Sequence, residues 1–556
     1  MQATTVQSIW QVWAFTLVLT LLSACALYSL IAARWAAKRS EAFQQASGDY
    51  SSEIPRNDSA EDFITARSSI DVWKMAFSLY ASVMGSWVIT GPPIYASMAG
   101  LLGLASYAIA SGTPLTVIAW AGSLARSADP EATSLPNFLL RRFDGHVDPP
   151  AEGSPRRGLL GTRLLRPGQV IATLSAVITL FCMSVAMLAE YATLGTIFRA
   201  FVGCSDGLAA LPTIFMGLLT VGYTVAGGLY ISILTDRIQA IVSFLLVVYL
   251  GIFLLRQFDI KLSTPLTNAQ KGLTYSGYSS LVVMPISLIS STMYSEALWQ
   301  RVWAAEDEKA LRKASIGASL FVTLVVFFFG FVGFLALWSK KATDTTPPNL
   351  YFFVLFSESG EGTLDSIAGL LALSCAAMMS EGAVDSLQNG ITATLSSTLL
   401  KNKPLLWTRL LVLVVNVPLA ILGSTKLVDN ILKLFLLSNM ITTICFPPLL
   451  AAVFPYPGVR QNVTEESVLF GCLGGLLLTC AFGTLRAGSI SGGIELTFMS
   501  NDYGWDYFVV ALVSSTACTI CGAGVIWIRR RAFRRFPLLT AELGSRSSHD
   551  EFSSSS

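Results

Sequence analysis

Ala81-Ser82-Val83-Met84-Gly85-Ser86-Trp87-Val88-Ile89-Thr90-Gly91-Pro92-Pro93 lies inside an otherwise apolar stretch, residues 72–94. Two glycines, two prolines, three hydroxyls and a tryptophan in one such segment predict a helix that breaks inside a membrane and turns its freed carbonyls and amides toward a ligand. The plainer alternative is a kinked packing helix whose small residues allow close contact. Both readings need a membrane, and the composition supplies one. The chain has 556 residues, 53% of them apolar and 13% charged, against about 25% charged in an ordinary soluble domain; mean hydropathy is +0.60. That charge deficit excludes a cytosolic enzyme and a disordered scaffold. A net charge of +2 leaves no basic excess to hold nucleic acid. The chain is expected to be an all-α polytopic membrane protein with the lipid bilayer as its constant partner.

A helix crosses about 30 Å of hydrocarbon with about 20 apolar residues. Thirteen stretches qualify: 8–33, 72–94, 99–125, 168–197, 209–229, 233–255, 277–299, 314–338, 363–396, 405–424, 427–454, 466–485 and 506–528. The first is not expected to be a signal peptide, because it is long, lacks a basic flank before it, and is followed by Arg34, Lys38 and Arg39. Basic residues gather in alternate connections, around 34–67, 126–166, 301–313, 401–409 and 529–535. Positive-inside bias then predicts the N-terminus outside and the C-terminus cytoplasmic, with the plasma membrane the default. On that orientation the sequons at Asn57 and Asn462 face the cytoplasm and stay unglycosylated. Residues 34–70 and 127–167 read as polar linkers, and 529–556 as a serine-rich cytoplasmic tail. Any activity therefore belongs to the bundle.

Two histidines, His146 and His549, both in polar segments, leave almost nothing for haem or zinc, and no cofactor is expected. Eight of nine cysteines lie in apolar stretches and read as small buried hydrophobes, with Cys204 in a loop. An intramembrane enzyme is disfavoured, since no nucleophile stands at a recognisable spacing from a base. Buried acids carry more information, because ionised groups are costly in lipid and mark ion or proton paths. Glu381 and Asp385 stand four residues apart, on one face of the ninth stretch, with Ser380, Ser386 and Asn389 nearby. Asp236, Glu190 and Glu296 lie in the sixth, fourth and seventh. For Asp236 and Glu296 the structural alternative is a pairing with loop arginines at the membrane interface.

Three motifs together resemble the sodium/solute symporter family. Ser134-Leu135-Pro136-Asn137-Phe138-Leu139-Leu140-Arg141-Arg142-Phe143 is similar to its "TLPEFLxxRF". Gly227-Gly228-Leu229 followed by Thr235-Asp236-Arg237-Ile238-Gln239 is similar to "GGLxAVxxTDxxQ". Trp299-Gln300-Arg301-Val302-Trp303-Ala304-Ala305, with Asp307, Lys309 and Arg312, is similar to "WQRxxAAKDxKxAR". The resemblance covers roughly residues 60–455. It implies the LeuT-type fold: two inverted five-helix repeats, 72–255 and 277–454, joined by an extracellular linker 256–276. The first helix and its linker (1–71) and two C-terminal helices (455–528) would be additions.

The resemblance also implies a sodium site made by carbonyls of the first broken helix, here Ala81 and Met84, and by two hydroxyls before an "xDSxxN" run. That run is Asp385-Ser386…Asn389, so the hydroxyl positions hold Gly382 and Ala383. A hard cation wants about six oxygens, and two are missing. The coupling cation is thus expected to be a proton titrating Glu381 or Asp385, with Ser386 and Asp236 nearby, or a sodium in a site rebuilt around Glu381. Candidate solute-lining residues are Ser86, Trp87, Thr90, Ser291, Tyr294, Asn439 and Thr442, which offer neutral hydrogen bonds and aromatic walls. Val88 and Ser291 stand where the family's sugar transporters carry glutamine and tyrosine, which disfavours sugar. Tyr223-Thr224-Val225-Ala226-Gly227-Gly228-Leu229 is similar to "YTLAGGL" of its active urea transporters, so urea is the favoured solute, with proline or a polyamine as alternatives. A non-transporting nutrient sensor on the same scaffold is the competing class.

Overall fold

The computed structural model describes residues 2–47, 60–68, 70–145, 168–257, 265–343, 345–360, 362–400, 403–425, 431–454 and 462–535. Seventeen α-helices occupy them, with no strand among the described residues. They are α1 (Gln2–Ser47), α2 (Ala60–Thr65), α3 (Val72–Val83), α4 (Trp87–Ala128), α5 (Leu135–Phe143), α6 (Gln169–Ala200), α7 (Asp206–Gln257), α8 (Asn268–Lys271) and α9 (Tyr275–Thr292). Then follow α10 (Glu296–Ala304), α11 (Glu308–Trp338), α12 (Ile367–Leu399), α13 (Leu405–Gly423), α14 (Ile431–Val453), α15 (Glu465–Ala487), α16 (Ile490–Phe498) and α17 (Trp505–Arg535). The Asn57 sequon, His146, His549, the linker residues 146–167 and the tail from 536 lie outside the described residues.

Among the described residues, eleven helices are long and apolar enough to cross a membrane, and two of them are double. A straight helix of 42 residues, the length of α4, would run about 63 Å, twice the hydrocarbon thickness. It does not run straight. Gly100 sits at φ 64°, ψ −167° inside it, and Tyr95 and Tyr107, one on each side, bring their rings to 5.1 Å. The same device splits the 52-residue α7 at Gly228, with φ 58° and ψ −145°. Counting each as two crossings restores the thirteen read from the sequence.

Gly228 needs its glycine twice over. Its backbone conformation is nearly closed to other residues, and a Cβ there would run into the Phe63 carbonyl and ring of α2. Gly228→Ala should therefore destabilise the fold by about 1–3 kcal/mol from backbone strain alone. The measurement is the thermal midpoint of the detergent-solubilised protein, and an unchanged midpoint would contradict the packing described.

The supposed linkers are more structured than their polarity suggests. Helix α1 continues beyond the apolar stretch to Ser47. At the far end of 34–70, Phe63, Ile64 and Ile70 are buried; Gln300 donates to the Ile64 carbonyl at 2.7 Å, and Ile70 pairs with Ala305 in an isolated bridge. In 127–167 the run Leu135, Phe138, Leu139, Arg142 buries one face of α5. Ser134 caps that helix by accepting the Asn137 N–H. Between α11 and α12 the connection also packs inward, with Phe352, Phe353 and Phe356 buried.

Exposed leucines such as Leu245, Leu255, Leu324, Leu477 and Leu485 mark the surface that meets lipid. Against them α12 stands apart. Its best 18-residue window is 89% buried, against 17% for α17 and 22% for α13, so α12 is the axis of the bundle. Glu381 and Asp385 are on it.

Candidate functional site

Two helices are interrupted, and the interruptions face one space. Helix α3 ends at Met84, whose backbone is extended, and α4 resumes after Gly85 and Ser86. Helix α9 ends at Thr292, and Ser295 is extended again before α10 begins. Between the breaks lies a cavity of about 390 Å³ bounded by α3, α4, α6, α9, α12, α14 and Tyr503. That is the scale of sites for small organic ligands. Trp87, Tyr107, Tyr294, Phe435 and Tyr503 supply aromatic walls, and Ser82, Ser111, Ser291, Ser438 and Asn439 supply neutral polar groups. Among the described residues its lining contains one charged side chain, Glu190.

Of the seven residues expected to line a solute site, Trp87, Thr90, Ser291, Tyr294 and Asn439 do. Ser86 does not, because its N–H and its hydroxyl both donate to Glu190 Oε2 at 2.8 Å. Thr442 does not either; its hydroxyl turns back to the Ser438 and Asn439 carbonyls of its own helix. Met84 and Ala383 are on the cavity wall. The Ala81 carbonyl faces Gly382, 3.4 Å from where a Cβ would stand, with Gln239 Oε1 at 2.9 Å from the same point. Glu190 was visible in the sequence as a buried acid but had nothing to join it to the first break. Tyr503 falls beyond the span of the family resemblance.

The other acids divide sharply. Asp236 does pair with an arginine, Arg301 at 2.7 Å, but both side chains are fully buried. Arg301 is thus no loop charge at the membrane interface. It is held in α10 by Asp236, Ser78, Ser386 and the Ala297 carbonyl. Among the described residues no arginine pairs with Glu296; its Oε2 accepts the Leu135 N–H at 3.1 Å, at the start of α5. Helix starts attract carboxylates, which accounts for the choice.

Glu381 and Asp385 lie on one face of α12, turned toward α7. Asp385 Oδ1 accepts from Thr224 at 3.0 Å and Asn389 at 2.9 Å, and the Ser232 hydroxyl faces the same carboxyl. Both oxygens of Glu381 are buried with the Gln239 amide as their polar neighbour, and the same amide faces the Tyr223 hydroxyl across the α7 interface. Tyr223 has Asp385, Glu381 and Gln239 as electrostatic neighbours. Two buried acids four residues apart are expensive in lipid, so this cluster calls for something more than packing.

No family model matches the chain. The spermidine transporter DUR31 of Candida albicans is 25% identical over 485 residues, 84% of this chain and 85% of that protein. Among solved structures, a Na+-coupled sialic acid symporter in a substrate-bound outward-open state superposes with TM-score 0.63 at 15% identity, covering 92% of this chain and 97% of that one. MHP1, a nucleobase-cation-symport-1 family transporter in a closed conformation, gives 0.53 at 12% identity, over 85% and 96%. The fold is LeuT-type. In it, interrupted helices meet at mid-membrane around a solute, which is the arrangement found around the 390 Å³ cavity.

Proposed function

We propose that this chain is a proton-coupled symporter that imports small organic amines, polyamines being the favoured class. The observation that carries the reading is the aromatic-walled central cavity whose one charged lining residue is the carboxylate Glu190. Rings such as Trp87 and Tyr107 attract ammonium groups through their faces, and a lone acid completes a cation site. The spermidine named for the Candida relative belongs to that class. Urea, favoured by the motif Tyr223–Leu229, loses that support, because those residues line the α7 turn and the Glu381 cluster rather than the cavity. A four-heavy-atom solute would also leave most of the cavity to water.

Proton coupling rests on Glu381. Glu381 is fully buried beside the Gln239 amide and Asp385, and an ionised carboxylate is costly in lipid; in the proposed cycle it takes up a proton and gives it up when the bundle rearranges. Sodium fits less well. The Ala81 carbonyl and the Gln239 amide oxygen approach Gly382, but Gly382 and Ala383 add no side-chain oxygen toward the roughly six a hard cation prefers. Transport would work by the two inverted halves, 72–255 and 277–454, moving about the central cavity, with the N-terminus outside and the C-terminus in the cytoplasm.

The test is uptake of labelled spermidine, urea and proline into proteoliposomes under an imposed pH gradient and, separately, a sodium gradient, with the membrane potential clamped. Spermidine should accumulate uphill when the outside is acid, with no need for sodium. Accumulation of urea or proline in its place overturns the solute class. Accumulation driven by sodium alone overturns the coupling. Binding without accumulation of any solute favours the sensor.

A further inference from the structure

The half-helix that begins at Trp87 presents its positive end, with free N–H groups, to the middle of the bundle. In transporters built on interrupted helices, such an end receives the anionic group of the solute. Here it is already filled from within. Ser86 stands at the cap position, yet its side chain makes no capping bond to the helix. The Ser86 N–H goes to Glu190 Oε2 at 2.8 Å, the Trp87 N–H also faces that carboxylate, and the Ser86 and Ser380 hydroxyls add bonds at 2.8 and 3.1 Å. The fit is close. A Cβ at Gly85 would land on the Glu190 carboxylate, so the glycine at the break is also what lets Glu190 in.

Glu190 is 3% exposed, and what shows faces the cavity. A solute bringing its own carboxylate would find the helix end occupied and would meet a like charge in a low-dielectric space. An ammonium meets the opposite situation, with an acid on one side and the Trp87 and Tyr107 rings also in the wall. A neutral solute gains little either way.

We propose that Glu190 is the specificity-determining residue of the cavity: a built-in carboxylate that occupies the anion position of the broken helix and so selects amines while refusing zwitterions. This rests on the reading of the cavity as a solute site for amines, and the test separates the two. Displacement of labelled spermidine from the purified full-length protein is measured with 1,4-diaminobutane and with 2,5-diaminopentanoic acid, the same diamine bearing one carboxylate. In the unaltered protein the carboxylate-bearing compound should compete about tenfold worse or more. Equal competition overturns the role of Glu190 without any variant.

Glu190→Gln keeps the size of the side chain and an oxygen for the Ser86 N–H. It should weaken spermidine about tenfold or more and erase most of the discrimination. Glu190→Ala should do the same, admit the carboxylate-bearing diamine, and regain part of its spermidine binding when acetate, but not chloride, is added. A Glu190→Gln protein that discriminates as the unaltered one does removes Glu190 from the selection while leaving the amine reading intact. Failure of the unaltered protein to bind either diamine or spermidine removes the amine reading, and this inference with it.

Discussion

Glu381→Gln should abolish uphill uptake driven by a pH gradient while solute binding survives. Glutamine matches glutamate in size but cannot release a proton, and its amide can still face Gln239, so the substitution costs the resting fold little. With one proton moved per solute, each unit of pH difference supports about tenfold accumulation, since 1.4 kcal/mol is a factor of ten. The variant should therefore fall from about tenfold accumulation at one pH unit to equilibration. The sign follows from the direction of the cycle. Acid outside loads Glu381 and drives import, and reversing the gradient should drive export. Asp385→Asn should be harmful for a different reason, because it disturbs the bond from Thr224 that holds α7 to α12 and the bond from Asn389 within α12. A Glu381→Gln protein that still concentrates spermidine at full rate under a pH gradient would remove Glu381 from the coupling.

How much of this was legible in the sequence depends on what the residues do in lipid. Breaks were legible, because glycine and proline have backbone consequences that no environment hides: the interruption after Met84 is where Gly85 and the following hydroxyl and prolines predict it. The two reversals at Gly100 and Gly228 fall between stretches that hydropathy already separated. Side-chain direction was not legible. A soluble helix tells its inner face by apolar contrast, but in a bilayer the lipid-facing and protein-facing sides are both apolar, so Ser86 and Thr90 read alike. One is turned to Glu190 and the other to the cavity. Docking of α2 and α5 was missed because six to nine residues carry too little pattern beside long polar neighbours.

The motifs themselves explain why the resemblance could not choose a solute. Ser134 caps α5, Gly228 lets the chain reverse against Phe63, and Trp299, Arg301 and Trp303 bury the second half-helix. All three are parts of the scaffold. The cavity-lining residues Tyr107, Glu190 and Tyr503 lie outside them.

Removing either member of the Asp236–Arg301 pair should cost far more than removing both. Arg301 is fully buried, and its guanidinium donates to Asp236, Ser78 and Ser386 at 2.7 Å each. Those partners sit on α7, α3 and α12, so one side chain from α10 ties four elements together on the N-terminal side of the first break. Asp236→Asn leaves a buried cation without its counter-charge, and Arg301→Gln leaves a buried anion. Each should destabilise by about 3–5 kcal/mol, read as loss of folded protein after solubilisation. The double variant Asp236→Asn/Arg301→Gln buries no net charge and should recover much of that loss, because desolvating an ion pair consumes most of what its attraction returns. Additive losses in the double variant would mean that the two residues act separately and that the pair is not a unit. Recovered stability should not bring recovered function. The knot lies about 9 Å before the break, six residues of helix from Ser78 to Met84, and on the proposed transport reading it closes the path from the cavity on that side. A neutral version closes less firmly, so the double variant should leak solute down its gradient while the single variants fail to fold. Stability and tight coupling then part company at one pair of side chains, as expected where a buried ion pair is kept for the closure it enforces rather than for the energy it adds.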